Sequence, residues 1–238
     1  MSQLPETKVF ETREAAAAET ARLLAGALAS ALLERPRVSF MASGGSSPGA
    51  AYEMLSAEPL DWDRVTVGLV DERWVDPEDA ASNEALVRRT LLKNDAATAT
   101  FLPMKTDAAS PADAAAVVDA RYAGAPRPFD AVLLGMGLDG HTASWFPGAR
   151  GLEAMLDPAG SNIVAAIDAA GSPIARDHPL RLTLTLPALK DARRSVLLIY
   201  GAEKRSVLEA AMDGRAADLP VRRLIEYSTG GLSVVWAP

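Results

Sequence analysis

FDAVLLGMGLDGHTASWFPG, residues Phe129 to Gly148, opens as an apolar run and breaks at Gly135 into a glycine-rich turn. The run reads as a buried strand from Phe129 to Gly135. The glycines at 135, 137 and 140 then mark a sharp connection. Asp139 and His141 follow two residues apart, and the chain has only one other histidine. In open α/β sheets, ligands sit outside the carboxyl ends of the strands, which is where this pair falls. A plain tight turn with a solvated histidine is the simpler reading. The strand-end position weighs against it and marks His141 and Asp139 as candidate site residues.

The same glycines satisfy the G-x-G-x-x-G spacing of a dinucleotide-binding turn. That motif also needs a long helix after its third glycine, and Pro147, Gly148 and Gly151 interrupt any helix within about two turns. The pattern also lies in mid-chain with three strands before it. No NAD site is expected, and no other cofactor is called for.

Working back toward the amino end, Val38 to Ala42 reads as a second buried strand, leading into Ser43-Gly44-Gly45-Ser46-Ser47-Pro48 and an apolar helix from Ala50 to Leu55. Small residues with free amides between a strand and a helix start form a phosphate-binding arrangement, with Pro48 suited to the first turn. The lysine of a nucleotide P-loop is missing, so no nucleoside triphosphate is expected. Val65 to Val70 is a further buried strand ending in Asp71-Glu72-Arg73-Trp74, which puts charge at the same edge of the sheet. Each of these charges taken alone reads as a surface ion pair. Earlier still come a short strand at Lys8 to Phe10 and a helix from Arg13 to Leu33 capped by Thr12.

Downstream of the DERW run, Ser82 or Asn83 caps a helix to about Leu92, and Pro111 starts another that reaches Tyr122. Beyond the glycine turn, strands are predicted at Ile163–Ile167, Arg181–Leu186, Val196–Tyr200 and Ser233–Trp236, with helices at Ala202–Met212 and Pro220–Glu226. Residues 94–100 and 157–162 carry no clear signal. Strands alternating with helices predict a mostly parallel sheet with helices on both faces, in one domain spanning residues 1–238. Arg181 opens one of these strands, and Lys204 sits where another gives way to its helix.

Composition narrows the partners. With 24 basic and 31 acidic residues the net charge is −7, so neither nucleic acid nor an anionic membrane is an expected partner. Cysteine is absent, which removes disulfides and thiolate chemistry. MSQLPETK has neither the basic start nor the apolar run of a secretory signal, and a cytoplasmic protein is the expectation.

Taken together, SGGSSP at Ser43 to Pro48, DERW at Asp71 to Trp74 with Ser82-Asn83 beyond it, GMGLDGHTASWFPG at Gly135 to Gly148, RLTLT at Arg181 to Thr185 and the Gly201 to Lys204 turn resemble the 6-phosphogluconolactonases. These group with the glucosamine-6-phosphate deaminases in a Rossmann-like superfamily. The resemblance spans most of the chain, and the GMGLDGHTAS segment followed by FPG is its most specific part.

The resemblance implies a cofactor-free and metal-free hydrolase of the pentose phosphate pathway that opens 6-phosphoglucono-δ-lactone to 6-phosphogluconate. By similarity the phosphate lies on Ser43, Gly44, Gly45, Ser46 and Ser47, with Arg181 and Lys204 completing the anion site. His141 matches the general base, and Arg73, beside Asp71, the basic residue near the lactone. The implied partner is a small phosphosugar lactone, bound by a monomer or small homo-oligomer. Ser47 replaces the family's usual threonine, Ala81 a glutamate that often precedes Ser-Asn, and VVWAP stands without an acidic, alanine-rich tail.

Two rival functions share parts of this pattern. An amino-sugar phosphate deaminase or isomerase would share the loop, Asp139 and His141, but carries Asn-Glu-Pro where this chain has Trp145-Phe146-Pro147. A non-catalytic phosphosugar-binding module would keep the loop, Arg181 and Lys204 and have no need of His141.

Overall fold

The computed structural model describes residues 5–175, 177–229 and 231–238. Within them ten strands and eight helices alternate for most of the chain. In order they are β1 (Glu6–Val9), α1 (Arg13–Glu34), β2 (Val38–Ala42), α2 (Gly49–Leu55), β3 (Val65–Leu69), β4 (Asp71–Arg73), α3 (Asn83–Thr90), β5 (Thr100–Leu102) and α4 (Pro111–Ala123). Then come β6 (Ala131–Leu134), α5 (Leu152–Met155), β7 (Val164–Asp168), β8 (Leu180–Leu184), α6 (Leu186–Leu189), β9 (Ser195–Tyr200), α7 (Ala202–Met212), α8 (Pro220–Tyr227) and β10 (Leu232–Ala237).

Seven strands form one sheet in the order β1-β10-β9-β6-β2-β3-β5, and every neighbouring pair is parallel. The mostly parallel sheet expected from the sequence is thus present. Every residue of β2, β3 and β6 is buried, as sheets covered on both faces require. Helix α1 is 22 residues long, with a mean hydropathy of 1.3 over an 18-residue window, and so meets the length and composition of a membrane span. It packs instead against β2, β6, β9 and β10 and buries Ala16, Ala17, Leu24 and Leu28, the pattern of a core helix. Its start matches the cap expected from the sequence, with the Thr12 hydroxyl accepting the amide of Ala15.

The remaining three strands depart from the simple alternating picture. They form a separate antiparallel sheet, β4-β8-β7. The DERW run, read from sequence as charge at a strand's end, is itself a short strand. The 94–100 run contains a 3₁₀ turn over Asn94–Thr98 and the first residue of edge strand β5, while 157–162 forms neither helix nor strand. Pro48 caps α2 rather than lying within its first turn.

Candidate active site

Strand order fixes where a ligand can enter. From β2 the chain runs outward one way through β3 and β5, and the other way through β6, β9 and β10. The order therefore reverses between β2 and β6, and the loops leaving their carboxyl ends part to leave a crevice there. A cavity of about 440 Å³ occupies this position.

Its first wall is the loop after β2. Gly45 has φ +88°, a left-handed conformation that glycine adopts without strain. Gly44 is not in that region and is needed for another reason. A Cβ there would run into the Asn83 side chain, reaching within 2.6 Å of Nδ2 and closer still to Oδ1 and Cγ. The loop is also anchored from below, where the fully buried Tyr52 hydroxyl donates to the Ser43 carbonyl at 2.7 Å. Burial pushes that phenol's pKa up, so it stays a donor.

The second wall comes from the small sheet. Register pairs Asp71 with Thr183 and Arg73 directly with Arg181. Side chains two apart on a strand share a face, so both arginines and Asp71 point the same way, into the cavity. Two cations facing each other repel, and Asp71 offsets this. Its Oδ2 lies 3.7 Å from Arg181 Nη1 and accepts the Ser144 hydroxyl at 2.6 Å. Burial lowers the Arg181 pKa, Asp71 raises it, and the charge of Arg73 lowers it further.

Glu72, between them in sequence, faces the other way. It accepts the amides of Arg73, Asn83 and Glu84 and the Ser82 hydroxyl, and so ties β4 to the start of α3. Burial raises its pKa against these bonds.

The third wall is the glycine turn. No helix follows β6 until the four-residue α5, in keeping with the rejected dinucleotide reading. The Gly137 amide donates to the His141 carbonyl at 2.9 Å, and the Thr142 hydroxyl to the Gly135 carbonyl at 2.8 Å, which closes the turn. His141 Nδ1 lies 2.5 Å from Asp139 Oδ1. Burial opposes ionisation of Asp139, but the bond and charge of His141 outweigh it and hold the carboxyl below its ordinary range. An ionised carboxylate can only accept, so Nδ1 carries the hydrogen and Nε2 is left for other chemistry. The Phe146 ring touches both ends of the site, with its centroid 4.4 Å from that of His141 and 4.9 Å from Arg181 Cζ.

Lys204 reaches the cavity from the first turn of α7, just past Gly201. Burial and then the charge of Arg13 lower its pKa.

Every site residue expected from the sequence is brought to this one place. Asp139 alone does not line the cavity and stands behind His141 instead. Sequence reasoning missed Asn83, Ser144, Phe146 and Thr183 as parts of the site. Two-residue periodicity could have placed Thr183 with Arg181; for Phe146 and Ser144 nothing in the local pattern distinguishes them. Among the described residues no group of His, Asp and Glu is placed to hold a metal ion.

A doubly wound α/β protein that gathers a serine- and glycine-rich loop, three cations and a carboxylate-oriented histidine at its switch point has the architecture of an enzyme acting on a small molecule. The chain belongs to the glucosamine-6-phosphate isomerase/6-phosphogluconolactonase family, whose model matches residues 11–236. It is 42% identical over 231 residues, 97% of each chain, to a 6-phosphogluconolactonase of Rhizobium meliloti. To one from Pseudomonas aeruginosa it is 43% identical, over 93% of this chain and 92% of the relative. The crystal structure of a 6-phosphogluconolactonase from Shewanella baltica superimposes with a TM-score of 0.92 at 34% identity over the whole of both chains. A monomeric glucosamine-6-phosphate deaminase shares the fold, with a TM-score of 0.76 at 19% identity.

Proposed function

We propose that this chain hydrolyses 6-phosphoglucono-δ-lactone to 6-phosphogluconate, the ring-opening step of the pentose phosphate pathway, without cofactor or metal. The observation that carries the reading is His141. Its Nδ1 is engaged by Asp139, and its ring borders the cavity that the Ser43–Ser47 loop, Arg73, Arg181 and Lys204 also line.

The substrate's phosphate lies on the Ser43–Ser47 amides and hydroxyls, with Arg181 and Lys204 supplying charge. Phosphate binding is remote from the reacting carbon, so its free energy can be used to position the lactone carbonyl. His141 Nε2, free because Nδ1 is held by Asp139, takes a proton from water as the oxygen adds to the carbonyl. The resulting imidazolium is stabilised by Asp139. Negative charge then develops on the former carbonyl oxygen. Arg73, which lines the cavity, supplies the positive charge that faces it. Collapse of the tetrahedral intermediate breaks the bond to the ring oxygen, which takes the proton back from His141. The product is a hydroxy acid whose carboxyl ionises.

The test is acid release from freshly generated 6-phosphogluconolactone above its spontaneous rate, with glucosamine 6-phosphate run in parallel for ammonia. No acceleration of lactone opening would reject the assignment, and ammonia release would replace it with the deaminase. His141→Ala is expected to abolish turnover while 6-phosphogluconate still binds.

A further inference from the structure

Asn83 was expected as a candidate helix cap and as part of the Ser82-Asn83 pair beyond the DERW run, and Ser82 holds the cap: its hydroxyl accepts the Ala85 amide. Asn83 is the first residue of α3 and is almost wholly buried. Helix starts do not require its side chain to be placed as it is. Nδ2 donates to the Asp71 carbonyl at 2.8 Å and to Asp71 Oδ1 at 3.2 Å. Oδ1 accepts from Arg73 Nη1 at 2.8 Å. The same amide group lies against Gly44, filling the space that any side chain at 44 would occupy. Three parts of the site, the anion loop, Asp71 and Arg73, therefore meet on one carboxamide.

We propose that Asn83 is a positioning residue that fixes the Arg73 guanidinium relative to the anion loop and thereby sets the distance from bound phosphate to the reacting carbonyl. The proposal rests on the lactonase reading above for its kinetic half only. Apart from Asn83, the Arg73 side chain has one hydrogen-bond partner among the described residues, the Ala81 carbonyl at 2.5 Å. Both bonds leave from Nη1, so without the carboxamide a single acceptor holds the guanidinium and it can turn in the cavity. Displacement of a group that acts on the transition state by about 1 Å costs on the order of 100-fold in rate. Among the described residues neither the loop amides nor Lys204 hydrogen-bonds to Asn83, so affinity for the phosphate end should hardly change.

The same contact explains Gly44. Its backbone lies outside the left-handed region, and the three atoms nearest a Cβ there all belong to the Asn83 side chain. Removing Asn83 should therefore make alanine at 44 acceptable.

The experiment compares Asn83→Ala, Arg73→Ala, Gly44→Ala and the two double variants that contain Asn83→Ala. Binding of 6-phosphogluconate is measured by calorimetry and lactone turnover by acid release. Asn83→Ala is expected to lower kcat about 100-fold with 6-phosphogluconate affinity within about threefold of wild type. In the Arg73→Ala background it should lower kcat no further. Gly44→Ala is expected to abolish binding, and Asn83→Ala to restore it in the double variant. An unchanged kcat in Asn83→Ala, or a full additional loss in the Arg73→Ala background, would overturn the link to Arg73, since a merely structural role gives additive losses. Failure of the Gly44 double variant to regain binding would overturn the link to the loop. If Asn83→Ala does not fold, Asn83→Ser, which keeps a residue suited to a helix start but cannot span from Asp71 to Arg73, gives the same comparisons. The binding half reads out even if the wild-type chain shows no lactonase turnover, so failure of the functional assignment is distinguishable from failure of this inference.

Discussion

Gly137→Ala tests how far turnover depends on the placement of one ring. A Cβ at 137 would land on the Cε1 and Nδ1 edge of His141 and 2.7 Å from Asp139 Oδ1, inside the 3.0 Å that real Cβ contacts essentially never breach. Gly137 lies outside the left-handed region, and the three atoms nearest such a Cβ all belong to side chains. The imidazole is the partner that can move. It is 19% exposed, and beyond its bond to Asp139 it rests mainly on Phe146. Restoring ordinary contact distances displaces it by on the order of 1 Å, which is expected to lower kcat about 100-fold. At 1.36 kcal/mol per factor of ten, that is about 2.7 kcal/mol of lost transition-state stabilisation. The anion loop and Lys204 are untouched, so 6-phosphogluconate affinity should stay near the wild-type value. The assay is steady-state lactone opening beside calorimetric binding, with thermal unfolding to confirm that the turn still folds. A Gly137→Ala enzyme with wild-type kcat would refute both the role of His141 and the geometry from which the clash is drawn.

Three further outcomes follow from the charges. Asp139 has a depressed pKa in the folded protein, so it contributes stability above the ordinary carboxylate range near about 3.9 and loses it as pH falls to the depressed value. Asp139→Asn should therefore lie furthest below wild type in Tm near neutral pH, with the gap closing under acid, as thermal melts across pH would show. Burial lowers the Lys204 pKa, so 6-phosphogluconate affinity should fall with rising pH before the ordinary lysine range near about 10.4, and Lys204→Met should remove that dependence in calorimetric titrations. At the far end of the sheet, the wholly buried Asp130 carboxylate accepts the Ser39 amide at 2.9 Å and pairs with Arg35 at 2.6 Å. Asp130→Ala is expected to cost about 3 kcal/mol in denaturant unfolding while leaving the kcat of the folded enzyme unchanged.

What the sequence revealed and what it hid have physical causes. Strands β2, β3, β6 and β9 were legible because buried parallel strands are nearly continuous apolar runs set off by glycine, proline and polar loops. Helix α7 was found with the boundaries it has, Ala202–Met212. The small sheet was not legible as a sheet. Asp71–Arg73 is three residues long and wholly charged, and its partner β8 lies far along the chain, so neither periodicity nor propensity marks it. The residues that carry charge or hydrogen-bonding chemistry stood out by type and position. Asn83 and Phe146 did not, because the first reads as an ordinary helix start and the second as part of an apolar, proline-broken turn. Their places in the site depend on contacts made across the fold.

The division of the site between two sheets bears on how the enzyme comes into being. The Ser43–Ser47 loop and the histidine turn hang from neighbouring parallel strands, β2 and β6, whereas Arg73 and Arg181 meet only when β4 pairs with β8. The hydroxyl that secures Asp71 in that arrangement comes from Ser144, 73 residues away. Closing such long loops costs chain entropy before any contact repays it, and pairings of this range are slow to form. Regain of turnover after dilution from denaturant will therefore trail regain of helical signal, making catalysis a late and stringent marker of complete folding.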